Sequence, residues 1–243
     1  MAGSIPSWVT LHDAIAGEVA LPDSPAYDQA HQPFNARFHE MRPQAVVLCA
    51  TPQDVAETIS YLGRHGLDNA VRSGGHCFAG HSSTRGVVID VTPMHSVSVS
   101  GDLATVGAGA RLVDVYEELQ KHDLTIPAGT CPPVGIAGLA LGGGLGILGR
   151  KYGVTSDHLI RAQIVLADGR ILECDENHIW TCSGRCEAPA PATSGWSRRS
   201  CSGPSRRRTR RTSTWRGPTL MPSLSSRPGR GGRRPDPTTS PPA

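Results

Sequence analysis

Two side chains with chemistry of their own sit in two glycine-dense stretches. His76 closes the run Arg72-Ser73-Gly74-Gly75-His76, and Cys131 stands near the head of Gly129 to Gly146, G-T-C-P-P-V-G-I-A-G-L-A-L-G-G-G-L-G. The second run holds seven glycines and two prolines in eighteen positions, with Ile, Leu and Val between them. A solvated linker would be polar and Ser-rich; this run is apolar. Glycine is where a chain takes φ > 0 or lets its backbone approach a ligand. The runs lie about fifty-five residues apart and read as two walls around something flat and bulky. One wall offers a histidine, the other a cysteine.

Each residue also has a plainer reading. A histidine in a glycine loop is more often a hydrogen-bonding or surface residue, and a cysteine among apolar neighbours is usually buried and inert. His76, Cys77 and His81 could be metal ligands, and Cys182 and Cys186 have ligand-like spacing. Zinc, however, needs three or four converging ligands in recognisable pairs, and neither set has a second pair at the usual spacing. Thr105 to Ala110 (T-V-G-A-G-A) before a helical pattern imitates a dinucleotide fingerprint, but the third glycine would fall at Leu112. Gly144 to Gly149 precedes Arg150-Lys151 and lacks the Lys-Ser/Thr pair of a P-loop.

The elements around these runs are mixed. A short helical pattern covers Leu11–Ala16, and helical spacing extends from Tyr27 to Phe38. Ala45–Ala50 reads as a buried strand, followed by a helix with Thr51 as N-cap and Pro52 at its first position, ending near Gly63–Gly66. Ala70–Arg72 and Gly86–Val91 are strands; Val97–Val99 and Leu103–Val106 form a hairpin through Ser100-Gly101-Asp102. Arg111–His122 is amphipathic, and Leu159–Leu166 with Arg170–Glu173 is a second hairpin around Ala167-Asp168-Gly169. The fold class is α+β.

Charge divides the 243 residues in two. From Trp180 onward there are 13 arginines and 2 acids, which leaves 11 basic against 19 acidic residues before it. The first part is an acidic globular sequence; the second is rich in Arg, Pro, Ser and Gly and too poor in apolar residues to offset its ordering entropy. Seven irregularly spaced cysteines argue poorly for disulfides. The N-terminus lacks the charged and apolar regions of a secretory leader, and no apolar run is long enough to span a bilayer. The expectation is a cytoplasmic chain without a membrane partner.

Several spaced motifs now agree in order. Arg72-Ser73-Gly74-Gly75-His76, Gly80-His81-Ser82, Gly129-Thr130-Cys131-Pro132-Pro133-Val134-Gly135 and Gly138 to Gly146 together resemble the FAD-linked oxidases. The likeness is to the berberine-bridge-enzyme-like branch of the vanillyl-alcohol-oxidase superfamily, with its PCMH-type FAD-binding domain. It runs from about Leu21 to Asp175.

The resemblance implies a PCMH-type domain of two α/β subdomains that holds FAD covalently. The R-S-G-G-H loop would wrap the pyrophosphate with backbone N–H groups. His76 would bond the 8α-methyl of the isoalloxazine, and Cys131 matches the cysteine that, in doubly linked members, bonds flavin C6. Whether one link or two exist stays open, since many relatives lack the cysteine and many doubly linked ones have His where Leu139 stands. The cofactor-binding set is Arg72, Ser73, Gly74, Gly75, His76, Gly80, His81, Ser82, Cys131, Val134, Gly135, Gly138, Leu141, Gly142, Gly143 and Gly144, with no metal ligand. The implied partners are a small-molecule substrate (an alcohol, sugar or amine-like compound) and O2. A catalytic base, often Tyr, would come from a substrate domain, so no catalytic residue is assigned.

The resemblance stops near His178. When each codon from Trp180 on is read from its third base, Trp-Thr becomes Asp, and ordinary GC-rich choices give D-L-F-W-A-L-R-G-A-G-A-G-N-F-G-V-V, which looks like the family's next motif. Residues from about 179 on are therefore expected to be out of frame, and the chain inactive. The organisation expected is a lead-in over 1–40, the FAD-binding domain over 41–178 and a disordered tail over 179–243. Arg206 to Arg211 could serve as a phosphate-binding patch, but a misread GC-rich frame yields the same arginines, so no specific nucleic-acid partner is expected.

Overall fold

The computed structural model describes residues 7–175 and the backbone of residues 210–216. In chain order the elements are α1 (Trp8–Ala14), β1 (Glu18–Ala20), α2 (Pro25–Ala30), a 3-10 turn (Ala36–Phe38), β2 (Ala45–Leu48), α3 (Pro52–His65), β3 (Asn69–Arg72) and β4 (Val87–Asp90). Then follow β5 (Val97–Ser100), β6 (Leu103–Val106), α4 (Leu112–Gln120), α5 (Ile136–Leu141), α6 (Gly149–Tyr152), a 3-10 turn (Thr155–His158), β7 (Leu159–Val165), β8 (Ile171–Asp175) and β9 (Arg210–Arg216).

Two sheets carry the mixed fold. The first has the order β1-β2-β4-β3. Strands β2, β4 and β3 run parallel, and β1 closes one edge antiparallel to β2. Parallel strands need cover on both faces. Val47, Val87 and Ile89 pack with Val55, Tyr61 and Leu62 of α3, while Val46 and Val88 face Tyr27 of α2. The second sheet, β5-β6-β9-β7-β8, is antiparallel throughout. Its own core gathers Leu112, Val115 and Leu119 of α4 with Val106, Ile126 and Ile136.

Helix α3 starts where Thr51 and Pro52 place it. The Thr51 hydroxyl accepts from Asp54 N at 3.1 Å, the Asp54 carboxylate accepts from Thr51 N at 3.2 Å, and Gly66 ends the helix at φ 63°. The helix expected over Tyr27–Phe38 is instead broken: α2 stops at Ala30, and only a 3-10 turn resumes at Ala36. Pro33 explains the gap, since proline disfavours helical geometry in the residue before it and lacks an N–H.

The frame change near 179 and the Cys182/Cys186 pair lie outside the described residues. Of the segment expected to be a disordered tail, residues 210–216 are strand β9, paired with β6 on one side and β7 on the other. Both neighbours present unpaired backbone at that gap, and a third strand satisfies it. Among the described residues no helix is long and apolar enough to cross a membrane.

Candidate functional site

The two glycine runs cross at Gly74 and Gly135. A methyl group on Gly74 would strike Gly135 N and come within 2.6 Å of Pro133 O, and one on Gly135 would strike Gly74 N and Ser73 Oγ. The crossing is pinned on both sides. Ser73 Oγ donates to Ala108 O at 2.7 Å. Ile136 N donates to Ala110 O and Leu112 N to Val134 O, both at 2.9 Å, which laces the second run to the start of α4.

Residues 30–38 strap the other side of the first loop. Buried Arg72 donates from Nε to Ser82 O (3.2 Å), from one terminal nitrogen to Ala30 O, and from the other to His31 O and Ser83 Oγ, both at 3.0 Å. Burial lowers its pKa, and Asp90 nearby opposes that. Phe34 N donates to Gly75 O at 3.2 Å, and the Phe38 ring lies against Gly80 where a Cβ would be. Both glycines have positive φ (71° and 76°), a conformation L side chains rarely adopt.

His76 is held under Phe34. The two rings stack with centroids 3.7 Å apart and planes 18° from parallel. His76 Nε2 is buried without a hydrogen-bond partner among the described residues, and so is Ser82 Oγ. Burial, and then the positive charge of Arg111, keep the imidazole below the ordinary histidine range. An unpartnered buried polar atom is costly and asks for an occupant.

His76 and Ser82 both border a cavity of about 320 Å³ at the junction of the two sheets. Of the expected site residues, Ser73, Gly74, Gly75, His76, His81, Ser82, Val134, Gly135, Gly138 and Leu141 line it. Arg72, Gly80, Cys131 and Gly142 to Gly144 do not. The Arg72 guanidinium fixes the loop from behind. Cys131 is exposed on the turn that precedes Val134. Gly143 and Gly144, at φ 93° and 78°, turn the chain after α5 and accept from Ser156 N (2.9 Å) and Thr155 N (2.8 Å).

Residues not anticipated join the wall: Val71 from β3, Val91, Met94 and Ala108 from the first core, and Gln163 and Val165 from β7. Gln163 and Val165 are two apart on a strand and so share a face, a signal present in the sequence. Ala108 lay within the run read as a dinucleotide imitation. Gly107 and Gly109 in that run press on Met94 O and Val91 O, so close backbone packing accounts for them. A mainly apolar wall with a few convergent polar groups is the usual make-up of a cofactor pocket. Glycine surfaces, the free imidazole nitrogen and the Ser82 hydroxyl suit a flat, polar-edged ring system.

The family described as an FAD binding domain matches residues 43–175, more than half of the chain. The chain belongs to that family. FAD is accordingly the cofactor the domain binds.

Among its relatives, (R)-6-hydroxynicotine oxidase of Paenarthrobacter nicotinovorans is 36% identical over 167 residues, which cover 68% of this chain and 36% of that protein. The berberine-bridge-enzyme-like protein 1 of Physcomitrella patens superposes with a TM-score of 0.76 at 28% identity, over 87% of this chain and 44% of the other. A glucooligosaccharide oxidase of Acremonium strictum, described as revealing a novel flavinylation, superposes with a TM-score of 0.73 at 25% identity, over 88% and 43%. The chain spans well under half the length of these relatives.

Proposed function

We propose that this chain is the flavin-holding part of an oxidase, with the isoalloxazine in the cavity beside His76 and a covalent bond to that residue. Bound FAD would supply hydride acceptance from an alcohol, sugar or amine-like substrate and return of the electrons to O2 as H2O2. The chain's own residues bind and orient. Loop 73–76 offers glycine backbone to the pyrophosphate, Arg72 holds that loop from behind, and Val71, Val91 and Val165 keep water from the ring. The observation that carries the reading is the His76 imidazole: at the cavity wall, clamped by Phe34, with Nε2 buried and unpartnered. Burial and Arg111 favour the neutral ring, the form with a lone pair to bond carbon.

Cys131 is proposed as a second, weaker candidate for attachment, since its side chain is exposed and outside the cavity wall. We propose too that residues from about 179 on are frame-shifted and supply neither the general base nor a substrate pocket, so that the chain binds flavin without turnover. Purified from cells, it is expected to be yellow, with the colour retained through acid precipitation and mapped by peptide digestion to the fragment holding His76. His76→Ala should release the colour into the supernatant. A colourless wild-type chain after incubation with excess FAD overturns the flavin reading, and peroxide release from an alcohol, sugar or amine panel overturns the inactive one.

A further inference from the structure

Segment 33–39 stands outside the family match at 43–175, yet it makes the closest ring contact to the residue on which the proposed function rests. Its placement is determined by several independent bonds. His39 Nε2 is 2.9 Å from Pro33 O, Asn35 Oδ1 accepts from Arg37 N at 3.1 Å, and Phe34 N reaches Gly75 O across the loop. Phe34, which these bonds set in place, is 55% exposed, far more than a core phenylalanine would be. It covers an imidazole rather than filling a core.

We propose that Phe34 is a positioning residue for His76: its ring fixes the imidazole plane against the cavity and so prepares the ring to bond the flavin. The proposal rests on the covalent reading above. An imidazole on a glycine-flanked loop has free rotation about both side-chain torsions unless something packs on its face. Here one face is occupied at 3.7 Å by a nearly parallel ring, which leaves the ring edge as the reactive part. In the attachment itself a bond forms between an imidazole nitrogen and the flavin 8α-carbon. The lone-pair nitrogen would form the bond while the ring's other nitrogen and the methyl carbon each gave up a proton to solvent; the two electrons left on the flavin, with two protons from solvent, would then pass to O2 as H2O2. Phe34 takes part in none of these transfers. The charged group that bears on the imidazole is Arg111, and the other titratable side chains on the same wall are Cys77 and His81.

The test uses the full chain made without flavin. After FAD is added, acid-stable flavin is followed with time in wild type, Phe34→Ala, Phe34→Leu and Phe34→Tyr. Phe34→Ala and Phe34→Leu should form adduct more slowly, by roughly 3- to 10-fold, the scale of one lost aromatic stack, while Phe34→Tyr keeps the wild-type rate. In the same flavin-free proteins the His76 ring resonance, assigned by its absence in His76→Gln, is titrated by NMR. Its midpoint should move up toward the ordinary histidine range in Phe34→Ala and stay low in Phe34→Tyr. Wild-type adduct rates in Phe34→Ala, or an unmoved midpoint, overturn the proposal. Should wild type take up no FAD at all, the proposed function fails, and the titration alone then decides whether the stack holds the ring.

Discussion

Gly74 and Gly135 meet backbone to backbone, sixty-one residues apart in sequence, with no room for a side chain on either. The contact joins the loop after β3 to the entry of α5, and so joins the two halves of the fold at the cavity. Neither glycine has positive φ; each is required by proximity alone.

Gly74→Ala and Gly135→Ala should therefore cost stability, about 1–3 kcal/mol each, the scale of overpacking in a tight interior. Gly63→Ala provides the contrast. Its Cβ would meet nothing within 4 Å, and it lies inside α3. That substitution should stabilise by about 0.4–1 kcal/mol. Urea unfolding of the three variants decides: equal effects would refute the crowding argument.

Asp54 gives a pH dependence. Burial alone would raise its carboxyl, but hydrogen bonds from the Thr51 hydroxyl and from the N–H groups of Ala16, Ala50 and Thr51 outweigh that and hold it below the usual carboxylate range. A folded-state value below the unfolded one, about 3.9, means the contribution is complete above that value and disappears as pH falls through the folded one. Asp54→Asn should lose about 1–3 kcal/mol at pH 7, and the gap to wild type should close toward pH 3. A gap that stays constant with pH would show that shape, not charge, matters at this cap.

Helix α3 was legible because its start and stop are written locally, in Thr51-Pro52, Asp54 and Gly66. The two glycine runs, expected as walls about a ligand, do line one cavity, but their direct contact at Gly74 and Gly135 was not legible. Strand β1 was not legible: Glu18-Val19-Ala20 carries no strand pattern, and it exists because β2 has a free edge to pair. Helix α5 hid among glycines that usually interrupt helices, and it is held by contacts of Ile136 and Ala140 with the second core. Arg72 was expected at the ligand, yet its guanidinium points to carbonyls of the strap. Sequence gives the residue type; only tertiary placement gives the side of the loop.

Thr155 tests how the glycine turn after α5 is held. Its Oγ1 lies 2.8 Å from Pro127 O and 3.0 Å from Gly144 O, and it is fully buried. One hydroxyl proton serves one carbonyl at a time, and Gly144 O also accepts from Thr155 N. Thr155→Val keeps the shape and leaves mainly Pro127 O without a donor. The expected cost is about 1–3 kcal/mol, read from chemical denaturation, whereas Thr155→Ser should fall within about 1.5 kcal/mol of wild type.

Strand β9 decides whether the segment after residue 179 is dispensable. It occupies the interior of the second sheet, with four residue pairs to β6 and six to β7. Without it the β5-β6 hairpin and the β7-β8 hairpin would share no strand, and two interior edges would face water. The ladders on either side of β9 satisfy backbone groups of β6 and β7 that are costly to leave unpaired, so losing them should remove a large share of a domain's net stability. A chain ending after residue 216 should melt close to the full chain; one ending before residue 210 should melt lower and aggregate through the opened edges. Equal melting of the two truncations would mean that the sheet closes without residues 210–216, and that the arginine-rich segment contributes nothing to the fold.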